Sequence, residues 1–143
     1  MAYNSGIGQE FVKQLLVDKF TGVSTGDYKI ALYQVGIVRD PLTAATFDNA
    51  GELIADNYVA GGLPLSAPTI TQSTLNGVPS ILLTYSTVIV PNTTAMVEAY
   101  CIYEVATQKV FACGKFKDGT ISSTNEALTI TFAVGDLGFG FAG

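Results

Sequence analysis

The side chains that could do chemistry in this sequence are thinly spread carboxylates. The chain has 12 acidic and 7 basic residues and no histidine. Without histidine it cannot build a Ser–His–Asp or Cys–His catalytic set or an imidazole metal site. A glycosidase needs two carboxylates about 5–10 Å apart, whereas Glu98 and Glu104 stand six residues apart on one predicted strand, about 20 Å from each other. The carboxylates therefore predict no active site.

Two short segments have composition typical of ligand sites. Asp118-Gly119 and Asn125-Glu126 offer oxygen atoms to Ca²⁺, but Asp-Gly is also a common turn, and a plain turn is the favoured interpretation. The glycines in residues 60–64 lack the lysine and the helix that follow a phosphate-binding loop. We therefore expect no metal, no cofactor and no enzymatic activity.

Cys101 and Cys113 fall in adjacent predicted strands, where they could face each other. A one-residue difference in the turn between them would place them apart. The N-terminal sequence lacks the basic and apolar segments of a signal peptide. Small buried thiols are commoner than disulfides in chains made in a reducing cytoplasm, so free thiols are favoured and a disulfide is the alternative.

The composition is rich in apolar residues and poor in charge. Of the 143 residues, 48% are hydrophobic and 13% are charged, with a net charge of −5, whereas about 25% charged is usual. Such a chain is not disordered, has no basic face for nucleic acid, and contains no run of about 20 apolar residues to span a membrane. We expect one domain, residues 1–143, that exposes apolar surface and forms a homo-oligomer.

Residues 7–20 are predicted to form an amphipathic helix. Apolar residues recur at intervals of four in two neighbouring rows, which together make a wide apolar stripe. The rows are Ile7, Phe11 and Leu15, and Val12, Leu16 and Phe20. We expect this stripe to pack on the protein's own sheet, and docking to a neighbouring subunit is the alternative.

From about residue 27 to residue 143 the pattern changes to strands. Seven to nine strands separated by turn signals, with no helices between them, predict an antiparallel β-sandwich or jelly roll. The main predicted strands are residues 28–38, 63–74 (an edge strand), 80–90 (ended by Pro91-Asn92), 96–105 and 109–117 (a hairpin), and 126–134. Asn76-Gly77 is a strong hairpin signal, and Tyr58–Gly62 is predicted as a strand end with a bulge or turn at its glycines.

The C-terminal segment alternates large apolar residues with glycines. Leu137, Phe139 and Phe141 stand on alternate positions of a short predicted strand, and no helix follows as a dinucleotide site would require. Glycines in a strand let another backbone approach closely. We predict a subunit interface at these three residues, and the competing interpretation is that Phe139 and Phe141 fill the core.

An ordered series of short motifs covers nearly the whole chain. After the N-terminal helix come Tyr28–Tyr33, then Glu52 followed by Tyr58-Val-Ala-Gly61-Gly62-Leu-Pro-Leu, then Ala99–Tyr103, Phe116–Gly119 and Thr129–Phe132. In this order the chain resembles small virion proteins of tailed bacteriophages.

The resemblance implies a capsid decoration (cement) protein or a related head or tail accessory protein. Such a protein has a β-sandwich fold, is usually a homotrimer and has no catalytic activity. Its implied partners are further copies of itself and the major capsid protein, and its implied location is the virion, more often the capsid surface than the tail, after synthesis in the host cytoplasm. A tail-associated fibre, baseplate or adaptor module is the alternative, and a carbohydrate-binding β-sandwich is a third hypothesis.

Overall fold

The computed structural model describes residues 8–133 and 135–140. The predicted class is confirmed, because the chain is mainly β, with one helix at its N-terminal end and two antiparallel sheets of five and three strands. The elements are α1 (Gln9–Phe20), β1 (Tyr28–Gln34), β2 (Leu63–Leu65), β3 (Thr69–Leu75), β4 (Val78–Thr84), β5 (Val88–Glu104), β6 (Val110–Lys115), β7 (Ile121–Ile130) and β8 (Leu137–Gly140). In the described part of the chain, no helix has the length and apolarity that a membrane crossing requires.

Contacts divide the chain into two compact units. The large unit comprises Ser24–Ser66 and Thr87–Thr131 and contains the five-stranded sheet. The small unit comprises Met1–Val23, Ala67–Ser86 and Phe132–Gly143, and its described residues contain α1 and the three-stranded sheet.

The large unit is organised around β5. Its strand order is β2-β1-β5-β6, and β7 also pairs with β5. The C-terminal half of β5 pairs with β1 and β6, and its N-terminal half pairs with β7. Residues 30–33 of β1 are buried without interruption, which shows that both faces of this strand are covered.

The predicted strand over residues 80–90 is wrong in its boundaries. Residues 85–87 are not in a strand, and they separate β4 from β5, which belong to different sheets. Pro91 and Asn92 do not end the strand, because β5 passes through them with shifts of register between Val90 and Thr93. A bulge tolerates a proline, which has no N–H for the ladder, and Asn92 takes a φ of 39° there.

Four other predicted strands have different bounds in the structure. β1 ends at Gln34 rather than Val38, because Gly36 turns the chain with a φ of 90°. Residues 63–74 form two strands, β2 and β3, each at the edge of a different sheet, so the edge prediction is confirmed and the single strand is wrong. Residues 60–61 form a turn. β7 covers 121–130, so residues 131–133 of the predicted strand 126–134 are not in it, and residue 134 lies outside the described residues.

The small unit contains the hairpin that the sequence signalled. Asn76 and Gly77 have φ values of 52° and 80°, as a two-residue turn with both residues at positive φ requires. β8 pairs with the other side of β4, which leaves β3 and β8 as the edges of the described sheet. The helix is tied to this sheet by Gln9, whose Nε2 donates to the Ser80 carbonyl oxygen at 3.0 Å.

Candidate functional site

The carboxylates considered for catalysis are held apart by separate local contacts. Glu98 pairs with Lys115 at 3.1 Å, and Glu104 accepts hydrogen bonds from the hydroxyls of Thr107 at 2.6 Å and Tyr28 at 3.3 Å. Among the described residues, no group of three or more histidine, cysteine, aspartate or glutamate side chains is placed to hold a metal ion.

The most specific polar arrangement lies around one buried carboxylate in the large unit. Glu52 Oε2 accepts hydrogen bonds from the Tyr58 hydroxyl at 2.6 Å and from the Gly61 N–H at 2.8 Å. The Tyr58 hydroxyl in turn accepts the Leu32 N–H at 3.0 Å, and the Tyr103 hydroxyl donates to the Gly61 carbonyl oxygen. We call Glu52, Tyr58, Gly61 and Tyr103 the Glu52 clasp, since it fastens residues 52–62 to β1 and β5.

Backbone contacts bring the clasp residues together. Gly51 and Leu53 run beside the end of β1, where the Leu53 N–H donates to the Leu32 carbonyl oxygen at 2.8 Å. Gly61 and Gly62 have φ values of 97° and 106°, and a Cβ on Gly62 would lie 2.4 Å from the Ile30 carbonyl oxygen. Position 62 therefore accepts only glycine, for its backbone angle and for its closeness to β1.

The clasp keeps its phenols neutral. Burial raises the pKa of Tyr58 above its ordinary value, and its hydrogen bond to Glu52 raises it further. Burial and the negative charge of Glu52 likewise raise the pKa of Tyr103. A neutral phenol remains a hydrogen-bond donor, so the arrangement stabilises the course of the loop and does not transfer protons near neutral pH.

The small unit presents apolar side chains to solvent along α1. Phe11 is 62% exposed and Leu15 is 53% exposed, and their i,i+4 spacing puts them on the same helix face. Phe20 is buried and Val12 and Leu16 are partly buried. The second predicted row therefore packs as expected, whereas packing of Phe11 and Leu15 against the sheet was wrongly predicted. Ile7 lies outside the described residues.

The predicted interface residues of β8 have different surroundings. Leu137 is 9% exposed and belongs to the core, whereas Phe139 is 46% exposed. Phe141 lies outside the described residues. Of the two interpretations of this segment, core filling fits Leu137 and a contact surface fits Phe139.

Phe139 borders an open groove of about 350 Å³ on the small unit. Leu75 and Val78 also line it, together with Gly138 and Gly140, and we call these five residues the β8 groove. A Cβ on Gly138 would lie 2.8 Å from the Ile81 carbonyl oxygen. The close backbone approach that the glycines predicted is thus made by β4 of the same chain.

Sequence reasoning missed the Glu52 clasp, because Glu52 looked like one of several solvated acids. The available signal was its place ahead of Tyr58 and the Gly61-Gly62 pair, a combination that can supply a hydroxyl and a backbone N–H to one carboxylate. Comparison of the chain with protein-family models, with curated proteins and with solved structures found no match.

Proposed function

We propose that this chain is a non-enzymatic structural protein of a tailed-bacteriophage virion, specifically a capsid decoration (cement) protein. It assembles as a homotrimer and stabilises the head through contacts with the major capsid protein. It acts at the capsid surface after synthesis in the host cytoplasm. Neither nucleic acid nor a membrane is among its proposed partners.

The observation that carries the proposal is the exposed apolar surface of the small unit. Phe11, Leu15 and Phe139 are each about half exposed or more, and Phe139 is one of the residues of the β8 groove. Full burial of one such side chain is worth about 1.5–3 kcal/mol, so covering several of them supplies a driving force for assembly. Such a surface suits a protein that acts by contact.

The Glu52 clasp supports the same proposal from the large unit. The segment from Glu52 to Leu65 is one of the motifs on which the resemblance rests, and its Glu, Tyr and Gly residues each have a defined role in the clasp. A loop fixed by a buried carboxylate keeps its shape. Rigidity of this kind suits a protein whose product is a surface.

The direct test is to locate the chain on phage particles. Antibodies raised against the purified protein would be applied, with gold label, to negatively stained virions of the phage that encodes it. We expect regularly spaced label over the head. Label confined to the tail would support the tail-associated alternative instead, and unlabelled particles would overturn the proposal.

Light scattering of the purified protein tests the assembly separately. We expect the mass of a trimer. A monomer at high concentration, which also fails to co-sediment with heads lacking it, would contradict the proposed contact surface.

A further inference from the structure

The two cysteines of the chain are directly opposite each other in the large unit. Cys101 on β5 is the register partner of Cys113 on β6, and both are buried free thiols. They belong to one apolar cluster with Tyr33 and Tyr103.

The hydrogen bonds of this ladder define how close the two residues are. The Phe116 N–H donates to the Glu98 carbonyl oxygen at 2.9 Å, a bond that joins the residues just outside the Ala99–Lys115 pair. The Ala99–Lys115 pair is therefore a non-hydrogen-bonded pair. Hydrogen-bonded and non-hydrogen-bonded pairs alternate along an antiparallel ladder, so the pair two residues further along β5 is also non-hydrogen-bonded. No register shift lies between residues 99 and 102, so Cys101 and Cys113 form this second pair.

Non-hydrogen-bonded pairs bring side chains closest, with Cα atoms about 4.5 Å apart. A disulfide requires a Cα separation of about 4.4–6.8 Å. The two thiols are thus placed where a bond between them needs little movement of the backbone.

We propose that Cys101 and Cys113 are a redox-active cross-strand pair, which closes to a disulfide when the folded protein meets a disulfide oxidant such as oxidised glutathione. The inference rests on the geometry of the pair and is independent of the proposed function. Glutathione keeps thiols reduced in the cytosol, so the bond forms after the protein has left such a compartment. It then links β6 covalently to β5.

The sheet order gives the sequence of the two exchange steps. β6 is an edge strand of the described sheet and β5 is a central one, and Cys113 is 7% exposed whereas Cys101 is 1% exposed, so Cys113 is the first to react. Its thiolate attacks one sulfur of oxidised glutathione, forms a mixed disulfide and releases one glutathione thiolate. The Cys101 thiolate then attacks the Cys113 sulfur and releases the second glutathione, so that two protein thiols are oxidised and one glutathione disulfide is reduced.

The groups around the pair make the reaction slow near neutral pH. Burial raises the pKa of Cys101 to about 12, and it also raises the pKa of Cys113. Arg39 lowers both pKa values, Asp40 raises that of Cys113, and Tyr33 adjoins Cys101. Because the thiolate is the attacking form, oxidation should accelerate as the pH rises.

The test is to incubate the folded, reduced protein with oxidised glutathione at mildly alkaline pH and to follow its intact mass and its free thiols. We expect each polypeptide chain to be lighter by two hydrogen atoms, with no disulfide to another chain and no free thiol. The urea concentration at the midpoint of unfolding should rise. A urea-unfolded sample incubated in the same way is the comparison. If the folded protein still has two free thiols when the unfolded sample is fully oxidised, the proposal is overturned. Disulfide-linked dimers on a non-reducing gel would do the same.

Two single variants test the order of attack. Cys101→Ala should stop at the mixed disulfide and gain the mass of one glutathione, whereas Cys113→Ala should react much more slowly. Equal or reversed rates in these variants, with unchanged circular dichroism, would contradict the assignment of Cys113 as the first to react. The wild-type experiment remains decisive if either variant fails to fold.

Discussion

The large and small units use their polar and apolar residues in different ways. In the large unit a central strand is buried on both faces, and the carboxylate of Glu52 accepts two hydrogen bonds from defined donors. In the small unit a three-stranded sheet ends in a glycine-rich strand, and Phe11, Leu15 and Phe139 remain in contact with solvent.

The large unit also exposes apolar side chains, among them Leu42, Ile54 and Val59, but among the described residues the exposed phenylalanines, Phe11 and Phe139, both belong to the small unit. We infer that the large unit acts mainly as a rigid body and the small unit as the contact surface. Buried polar groups that have all their partners specify one arrangement of a loop. Exposed apolar side chains add no free energy of burial until another surface covers them. Variants of the buried residues in the large unit should therefore change stability, and variants of the exposed side chains in the small unit should change association.

The largest effect on the large unit is expected from Gly62→Ala. Its new Cβ would lie 2.4 Å from the Ile30 carbonyl oxygen, and the backbone of β1 cannot yield without losing its pairing. We expect a loss of about 4 kcal/mol in the free energy of unfolding, measured in urea. Gly36→Ala is the control, because Gly36 also has a positive φ but open space around it, and it should lose only about 1 kcal/mol. Equal losses would show that the close approach is unimportant.

Leu137→Asp and Phe139→Asp separate the two roles within β8. Leu137→Asp places a charge in the core of the small unit and should unfold that unit, because a buried unpaired charge is strongly unfavourable. The second should leave the chain folded and give a smaller species by light scattering. Leu42→Asp, at an apolar residue 91% exposed in the large unit, should change neither property. Unfolding of Phe139→Asp would show that Phe139 serves the core.

Tyr58→Phe should weaken the Glu52 clasp with little change of shape. It removes one donor to Glu52 and the acceptor of the Leu32 N–H, which should reduce the free energy of unfolding by about 1–3 kcal/mol. Glu52→Gln should cost a similar amount, and the double variant should cost less than the sum because the two residues share one network. Strict additivity would mean that the clasp does not act as a unit.

Alkaline pH should destabilise the large unit through Tyr33. Burial raises its pKa from 10.0 to about 12, so above about pH 10 the unfolded chain loses this proton while the folded chain retains it. The contribution of the neutral Tyr33 hydroxyl to the free energy of unfolding is therefore complete below pH 10 and is lost as the pH rises towards 12. Urea midpoints across this range should fall less steeply for Tyr33→Phe than for the wild type.

The smallest effect on stability is expected from Phe11→Ser combined with Leu15→Ser. Both side chains are mostly exposed, so the free energy of unfolding should change by no more than about 0.5 kcal/mol for each substitution. Association should weaken, which sedimentation would measure. Phe20→Ala, on the buried side of the same helix, should instead cost about 3–5 kcal/mol. Unchanged association in the double variant would remove α1 from the contact surface.

The sequence predicted best those features that depend on neighbouring residues. The Asn76-Gly77 turn follows from local backbone rules. The strand predicted over residues 126–134 overlaps β7, in which Leu128 and Ile130 are buried. The helix was placed within two residues of its start, as far as the described residues extend.

Features that depend on distant partners were missed. Pro91 is accommodated because β7 pairs with β5 around a bulge, and no local signal distinguishes this from a strand end. The burial of Glu52 depends on Gly61, nine residues away. Phe11 and Leu15 are exposed because α1 packs mainly against β3 and β4, and these two strands do not cover the whole width of the apolar stripe. The single domain and the trimer stay predictions.

The order of segments in the small unit has a consequence for synthesis. Its sheet joins β3 and β4 to β8, the last described strand, whereas every strand of the large unit precedes β8 in the chain. Because a chain emerges from the ribosome N-terminus first, the large unit can fold while the small unit still lacks its third strand. The β8 groove, which includes Phe139, is therefore completed only after every strand of the large unit has been synthesised.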